Sequence, residues 1–312
     1  MPIIITGASG QYGTLAVAGL LERIDPGELI LITRRPEKLA HLAARGVCVR
    51  AGDFDAPASL RSAFSGGDKM LLISSTRVGH RLPQHRAAID AAVASGVRHI
   101  VYTSFIGAAP ENPALVAQEH AATERMLQSS GVHWTALRDS QYADALADAA
   151  APIALNMGRW ISSAGDGKIA LVTRRDCVAC AVAVLTTPGH LDAVYNITGP
   201  ELLSYREVAA LVADVTQKRI EFVAVTDDEL YEHFDRLGIP REAADDKVVQ
   251  GVPWSSDDMV SFERAIRGGH LAVISGDVKK LTGHEPQAMH SVLREREAAL
   301  RAAASAPARP AS

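Results

Sequence analysis

An α/β fold built on a doubly wound parallel sheet is predicted by three observations. Short, nearly uninterrupted apolar runs alternate with helix-like runs through the first half of the chain. The first apolar run passes through a glycine-spaced turn, Gly7-Ala-Ser-Gly10-Gln-Tyr-Gly13, into an apolar helix. Glycines at 46, 96 and 131 then stop helix-like runs just before the next apolar run.

The strand-like runs are Pro2–Thr6, Leu29–Thr33, Val47–Ala51, Lys69–Ser74, His99–Ser104 and His133–Leu137. Apolar residues at nearly every position suit strands covered on both faces. Between them, helices are predicted over Thr14–Arg23, Pro36–Arg45, Ala56–Ser65, Leu82–Ser95 and Leu115–Ser130, with Pro36 at a helix start. The second half is less regular. Ala151–Ala164 is small and apolar, Asp166–Val172 reads as extended, and Arg175–Leu185 reads as an apolar helix. Ala193–Thr198 is a predicted strand, broken at Gly199-Pro200. Ser204–Gln217 is a predicted helix in which Ser204 and Glu207 form a capping box. Arg219–Ala224 and Thr226–Leu237 read as a strand and a helix. The expected organisation is a nucleotide-binding domain over 1–150 and a smaller α/β substrate domain over 151–300, parts of which return to the first. A disordered tail is expected over 301–312, where alanine, serine and proline leave little to bury.

The 312 residues suffice for one large domain or two modest ones, and 47% hydrophobic with 22% charged residues suits a globular chain. A formal net charge of −4 argues against a nucleic-acid or anionic-membrane surface. No apolar run is long enough to span a bilayer. The first strand begins at once, without a basic leader, and the three cysteines form no disulfide pattern. A cytoplasmic location is therefore expected.

The glycine turn is the strongest local signal. Gly7 permits a sharp turn, Gly10 lets the main chain approach a pyrophosphate, and Gly13 lets the helix pack on the strand. Free N–H groups at the helix start then face the phosphates. The second strand ends in Thr33-Arg34-Arg35, where an acid would hold the ribose 2′-hydroxyl of NAD. Two guanidiniums suit a 2′-phosphate instead, so NADPH is the expected cofactor. Asp53 could accept from the adenine amino group with Phe54 against the ring; Asp53 could equally cap a helix. Ser74, Ser75 and Thr76 follow the fourth strand, where ligands of open parallel sheets bind.

Catalytic residues are less plainly marked. None of the six tyrosines is followed four residues later by lysine, so the alcohol–ketone proton relay of short-chain dehydrogenases is missing. His120, in Gln118-Glu-His-Ala-Ala-Thr-Glu124, is the candidate substitute, against the alternative of a structural helix histidine. Arg138-Asp139-Ser140-Gln141-Tyr142 follows the sixth strand and offers hydrogen-bond donors and an aromatic wall. Cys177-Val-Ala-Cys180 lies in an apolar helical run without a second ligand pair, which favours packing over metal or redox chemistry. No metal site is expected, and Gly-x-Ser-x-Gly does not occur.

Several stretches resemble the NmrA-like branch of the atypical short-chain dehydrogenases. They are Thr6–Gly13, Thr33–Lys38, Gly46–Phe54, His120–Glu124, Leu137–Tyr142, Tyr195–Gly199 and Gly276–Gly283, and the likeness runs from residue 1 to about 300. The resemblance implies a Rossmann domain holding NADPH and a C-terminal domain closing a substrate cleft. It implies that Ser9, Gly10, Gln11 and Tyr12 meet the pyrophosphate, Arg34 the 2′-phosphate, and Ser74 to Thr76 the cofactor's middle. Arg138, Asp139 and Tyr142 would hold the nicotinamide region, with Arg174 reaching toward it. The family often has asparagine where this chain has Asp139, which lacks the amide's donors. With no Tyr-x-x-x-Lys, the expected chemistry is direct hydride transfer to small electron-poor aromatic acceptors such as quinones or dyes, whose developing charge is delocalised. His120 or water would supply the proton, and Tyr142, Met157 and Trp160 would form apolar walls. Two alternatives remain: a reductase of lignan or phenylpropanoid benzylic ethers, and a non-catalytic NADP-binding redox sensor. The expected partners are the aromatic substrate and, if the chain self-associates, a second copy in a homodimer.

Overall fold

Odd- and even-numbered residues of the first strands enter different cores, as the two-residue period of a strand requires. The computed structural model, which describes residues 1–243 and 255–305, contains β1 (Ile3–Ile5), β2 (Leu29–Thr33), β3 (Cys48–Ala51), β4 (Lys69–Leu72), β5 (His99–Phe105) and β6 (His133–Asp139). After them come β7 (Arg159–Ser162), β8 (Lys168–Ile169), β9 (Ala193–Ile197), β10 (Leu203–Ser204) and β11 (Glu221–Ala224). Seven strands form one sheet in the order β3-β2-β1-β4-β5-β6-β9, and every pairing in it is parallel. The order reverses between β1 and β4, which opens a crevice at their carboxyl ends.

The helices, in chain order, are α1 (Gln11–Leu21), α2 (Ala40–Ala43), α3 (Leu60–Phe64), α4 (Arg81–Ala94), α5 (Leu115–Gln128), α6 (Ala143–Ala145) and α7 (Ala151–Met157). Then follow α8 (Arg174–Thr186), α9 (Tyr205–Thr216), α10 (Asp227–Arg236), α11 (Ser256–Arg267), α12 (Asp277–Thr282), α13 (Met289–Glu295) and α14 (Glu297–Ser305). One sheet face buries Ile3, Ile5, Leu29 and Leu31 against α1 and α8, with Val17, Leu20, Val182 and Leu185 in the same core. The other buries Ile4, Ile30, Ile32, Met70 and Tyr102 against α3 and α4, with Phe64 and Ile89. A third core joins Trp160, Tyr205, Val208, Ile266, Met289 and Leu293 in the C-terminal region. There β7 pairs with β11 in parallel, and β8 with β10 antiparallel.

Several elements differ from the sequence expectations. The first helix begins at Gln11 rather than Thr14, because Gly10 is already its N-cap. The helices expected over Pro36–Arg45 and Ala56–Ser65 each open as a tight 3-10 turn behind a proline, with only the last residues α-helical. The Ala151–Ala164 run splits at Gly158, whose φ of 65° ends α7 before β7. The disordered tail expected from 301 is corrected as far as Ser305. Helix α14 runs to that residue because Leu300 enters the third core and Ala304 packs against it. Residues 306–312 lie outside the described residues, as do 244–254 of the expected substrate domain. Both Ser204 and Thr226 form capping boxes, with Glu207 and Glu229.

Candidate active site

The glycine turn sits at the carboxyl end of β1, beside the crevice. Gly7 has φ +58°, a conformation only glycine adopts freely, and a Cβ at Gly13 would stand 2.4 Å from the Gly7 carbonyl oxygen. The Gly10 carbonyl accepts the first helical bond, from the Thr14 amide at 2.8 Å. The amides of Gln11, Tyr12 and Gly13 therefore have no helical carbonyl to meet, and the helix dipole adds positive potential there. The Tyr12 side chain points away from any phosphate: it is buried, and its hydroxyl donates to the Cys177 carbonyl at 3.1 Å. Only the Tyr12 backbone can serve an anion. Ser9 Oγ lies 2.8 Å from Thr33 Oγ1, which ties the turn to the end of β2.

Arg34 and Arg35 follow β2 and are exposed, and neither has an ion pair among the described residues. The segment Thr33-Arg34-Arg35 itself carries no carboxylate. Free amides, a tight glycine turn and an unpaired guanidinium fit a dinucleotide that carries a 2′-phosphate. Asp53 makes a local turn rather than a helix cap: Oδ1 accepts from the Asp55 amide at 3.1 Å, the Asp53 amide donates to Ser59 Oγ, and the N-cap of the turn that follows is Ala56. Phe54 is half-buried and packs on the core under α3. Ser74 and Ser75 are half-buried and Thr76 is exposed. The Ser74 amide donates to Thr103 Oγ1 at 2.9 Å, and Ser75 Oγ is buried without a partner.

At the end of β6 the structure revises two expectations. The Arg138 guanidinium is engaged in a two-pronged pair with Glu124, Nε to Oε1 at 2.9 Å and Nη2 to Oε2 at 2.6 Å. Ser104 Oγ also donates to Glu124, so β5, α5 and β6 are tied together through one carboxylate. Arg174 pairs with Asp144 and lies over the Tyr142 ring, its Cζ 4.8 Å from the centroid. Tyr142 Oη donates to Asp139 Oδ2 at 3.1 Å. Asp139 is 2% exposed, and burial pushes its carboxyl up to about 7. Its Oδ1 has no hydrogen-bond partner. Near neutral pH this carboxyl is partly protonated and can donate, as an amide would.

His120 lies on α5, and its Nδ1 is 2.7 Å from Tyr102 Oη. Burial holds the imidazole well below its usual range, with Arg81 and His85 adding to the effect. That favours the uncharged ring over an imidazolium. Phe105, at the end of β5, has its ring 6.0 Å from His120, and Phe262 of α11 lies 5.7 Å beyond. Both phenylalanines are half-buried. This aromatic wall was not expected: Phe105 could be inferred from its place after β5, whereas nothing local marks Phe262. Arg81 is likewise unexpected; its Nε donates to the Ser75 carbonyl at 2.6 Å, and Glu119 lies near it.

Of the expected apolar walls, Met157 is half-buried at the end of α7. Trp160 is corrected: it is 6% exposed and packs on Tyr205, centroids 5.9 Å apart, inside the third core. Packing on Tyr205 within that core, rather than a free face, is what surrounds the ring. Cys177 and Cys180 are buried on α8 in the core shared with α1, and burial pushes both thiols up.

Residues 7–188 match the model of an NAD(P)H-binding family. Quinone oxidoreductase 2 of Escherichia coli (strain K12) is 39% identical over 243 residues, 78% of this chain and 84% of that protein. The NAD(P)H azoreductase of Xenophilus azovorans is 32% identical over 243 residues, again 78% and 84%. The crystal structure of the NADPH-dependent E. coli quinone oxidoreductase with NADPH superposes with a TM-score of 0.85 at 34% identity, over 94% of this chain and 99% of that one. Triphenylmethane reductase of Citrobacter sp. gives a TM-score of 0.83 at 29% identity, over 96% and 100%. The glycine cradle, the doubly wound sheet and these likenesses agree, and the chain belongs to the NmrA-like NAD(P)H-binding family of oxidoreductases.

Proposed function

We propose that the chain is an NADPH-dependent reductase of small, electron-poor aromatic acceptors, with quinones and dyes as the type substrates. The observation that carries this reading is the pairing of a neutral His120 with the Phe105–Phe262 wall, in a chain without the tyrosine–lysine relay. The likeness to a quinone oxidoreductase, an azoreductase and a triphenylmethane reductase supports it.

NADPH, when bound, supplies the hydride. The amides of Gln11, Tyr12 and Gly13 would hold its pyrophosphate and Arg34 its 2′-phosphate, with Ser74 and Ser75 beneath its middle. Tyr142 and Asp139 would bind the nicotinamide carboxamide, with Asp139 donating in its protonated form. Arg174, neutralised by Asp144, supports the Tyr142 ring from one face. Phe105 and Phe262 would give a planar acceptor an apolar surface and exclude water. An acceptor that spreads its negative charge over a conjugated system needs only a weak donor, and neutral His120 is one.

Mixing the protein with NADPH and a panel of benzoquinones, naphthoquinones, azo dyes and lignans, and following nicotinamide absorbance, tests the reading. Quinone- or dye-dependent loss of absorbance is expected. Turnover confined to lignans favours the benzylic-ether alternative. NADPH binding without turnover on any acceptor favours a sensor.

A further inference from the structure

His85, Tyr102 and His120 form a buried string of hydrogen-bonding groups, of which the proposed reaction uses only the last. The string starts in the loop after β4, where the Ser75 amide donates to His85 Nε2 at 3.2 Å. A backbone amide can only donate, so Nε2 is the bare nitrogen of a neutral ring and the hydrogen sits on Nδ1. His85 Nδ1 is 2.9 Å from Thr123 Oγ1. That hydroxyl gives its own hydrogen to the Glu119 carbonyl, 3.0 Å away, and so receives from Nδ1–H. Tyr102 Oη is 3.5 Å from the same His85 Nδ1 and cannot donate to a nitrogen that already carries a hydrogen. The Thr123 hydroxyl is a further neighbour of the phenol, but the short contact, and so the favoured acceptor, is His120 Nδ1 at 2.7 Å. The phenol hydrogen is directed there, His120 Nδ1 accepts, and the ring hydrogen of His120 is placed on Nε2. Among the described residues Nε2 has no hydrogen bond of its own.

We propose that Tyr102 is a positioning residue that locks His120 as the Nε2–H tautomer, with the direction of the whole string set by the Ser75 amide through His85. The role rests on the reductase reading above. The opposite direction would turn a lone pair of Nε2 toward the acceptor oxygen and repel it. In the proposed direction, Nε2–H steadies the oxygen as the acceptor takes hydride and the dihydronicotinamide is oxidised. The proton that completes the reduced acceptor comes from solvent, and His120 keeps its own.

The test is a two-bond proton–nitrogen correlation spectrum of the full chain labelled with 15N-histidine, at pH 7 without cofactor. His120 and His85 are assigned from His120→Gln and His85→Gln. Expected are an Nε2–H tautomer for His120 and an Nδ1–H tautomer for His85. A His120 ring protonated on Nδ1 overturns the proposal without any tyrosine variant. In Tyr102→Phe, His120 is expected to sample both tautomers. Its kcat with a quinone should fall about tenfold or more, because part of the population no longer offers Nε2–H to the developing negative oxygen. KM for NADPH should not move. A Tyr102→Phe protein with the original spectrum and kcat overturns the proposal. Should that variant not fold, the wild-type spectrum decides. A wild-type protein that turns over no acceptor overturns the reductase reading and the role given to Nε2–H, while the spectrum still reads the tautomer separately.

Discussion

Asp139 places a carboxyl where the family often carries an amide, and its surroundings make the two behave alike. Tyr142 Oη donates to one oxygen, the other is buried without a partner, and burial pushes the group up to about 7. The folded-state value lies above the ordinary one, so folding favours the protonated form. The stability it contributes is complete below about pH 4 and is lost as pH rises through about 7. Asp139→Asn, which cannot ionise, is expected to match the wild type in thermal unfolding at low pH. Above pH 7 it should exceed the wild type by roughly 2–4 kcal/mol. Equal stabilities at pH 8 would show that the carboxylate is not desolvated as described.

The strands and helices transmit such local arrangements to the site. Glu124 of α5 receives the two-pronged bond from Arg138 and another from Ser104, and so fixes how β5, α5 and β6 meet below the crevice. Glu124→Gln removes the charge that holds the Arg138 fork. It is expected to cost about 1–3 kcal/mol in denaturant unfolding, with kcat falling because His120 sits one turn away on the same helix. An unchanged unfolding midpoint would contradict that role. These elements were largely legible beforehand, because β-branched runs buried on both faces and glycine stops leave few alternatives. The short helices were not. Proline and small residues at 36–45 and 56–65 permit both a 3-10 turn and an α-helix, and only packing on Leu39 and Leu60 decides between them.

The whole molecule is one sheet whose last strand comes from beyond the first half of the chain. Strand β9 pairs with β6, and α8 covers the face shared with α1, so residues past 150 complete the nucleotide-binding layer. Of the candidate site, the places of the glycine turn and of Arg34 could be read directly, because a tight turn and a charge just after a strand are set by local sequence. The surroundings of Arg138, Trp160 and Phe262 could not, since partners far along the chain decide whether a side chain meets a carboxylate, a core or another ring. What the account depends on most is that the cradle at Gly7–Gly13 and the guanidinium of Arg34 together hold NADPH. Isothermal titration of the wild type and Arg34→Ala with NADPH and NADH tests this directly. NADPH is expected to bind the wild type, and the variant to lose about ten- to a hundredfold in NADPH affinity, with NADH little affected. No heat with either nucleotide, or an unaltered NADPH affinity in the variant, would contradict it.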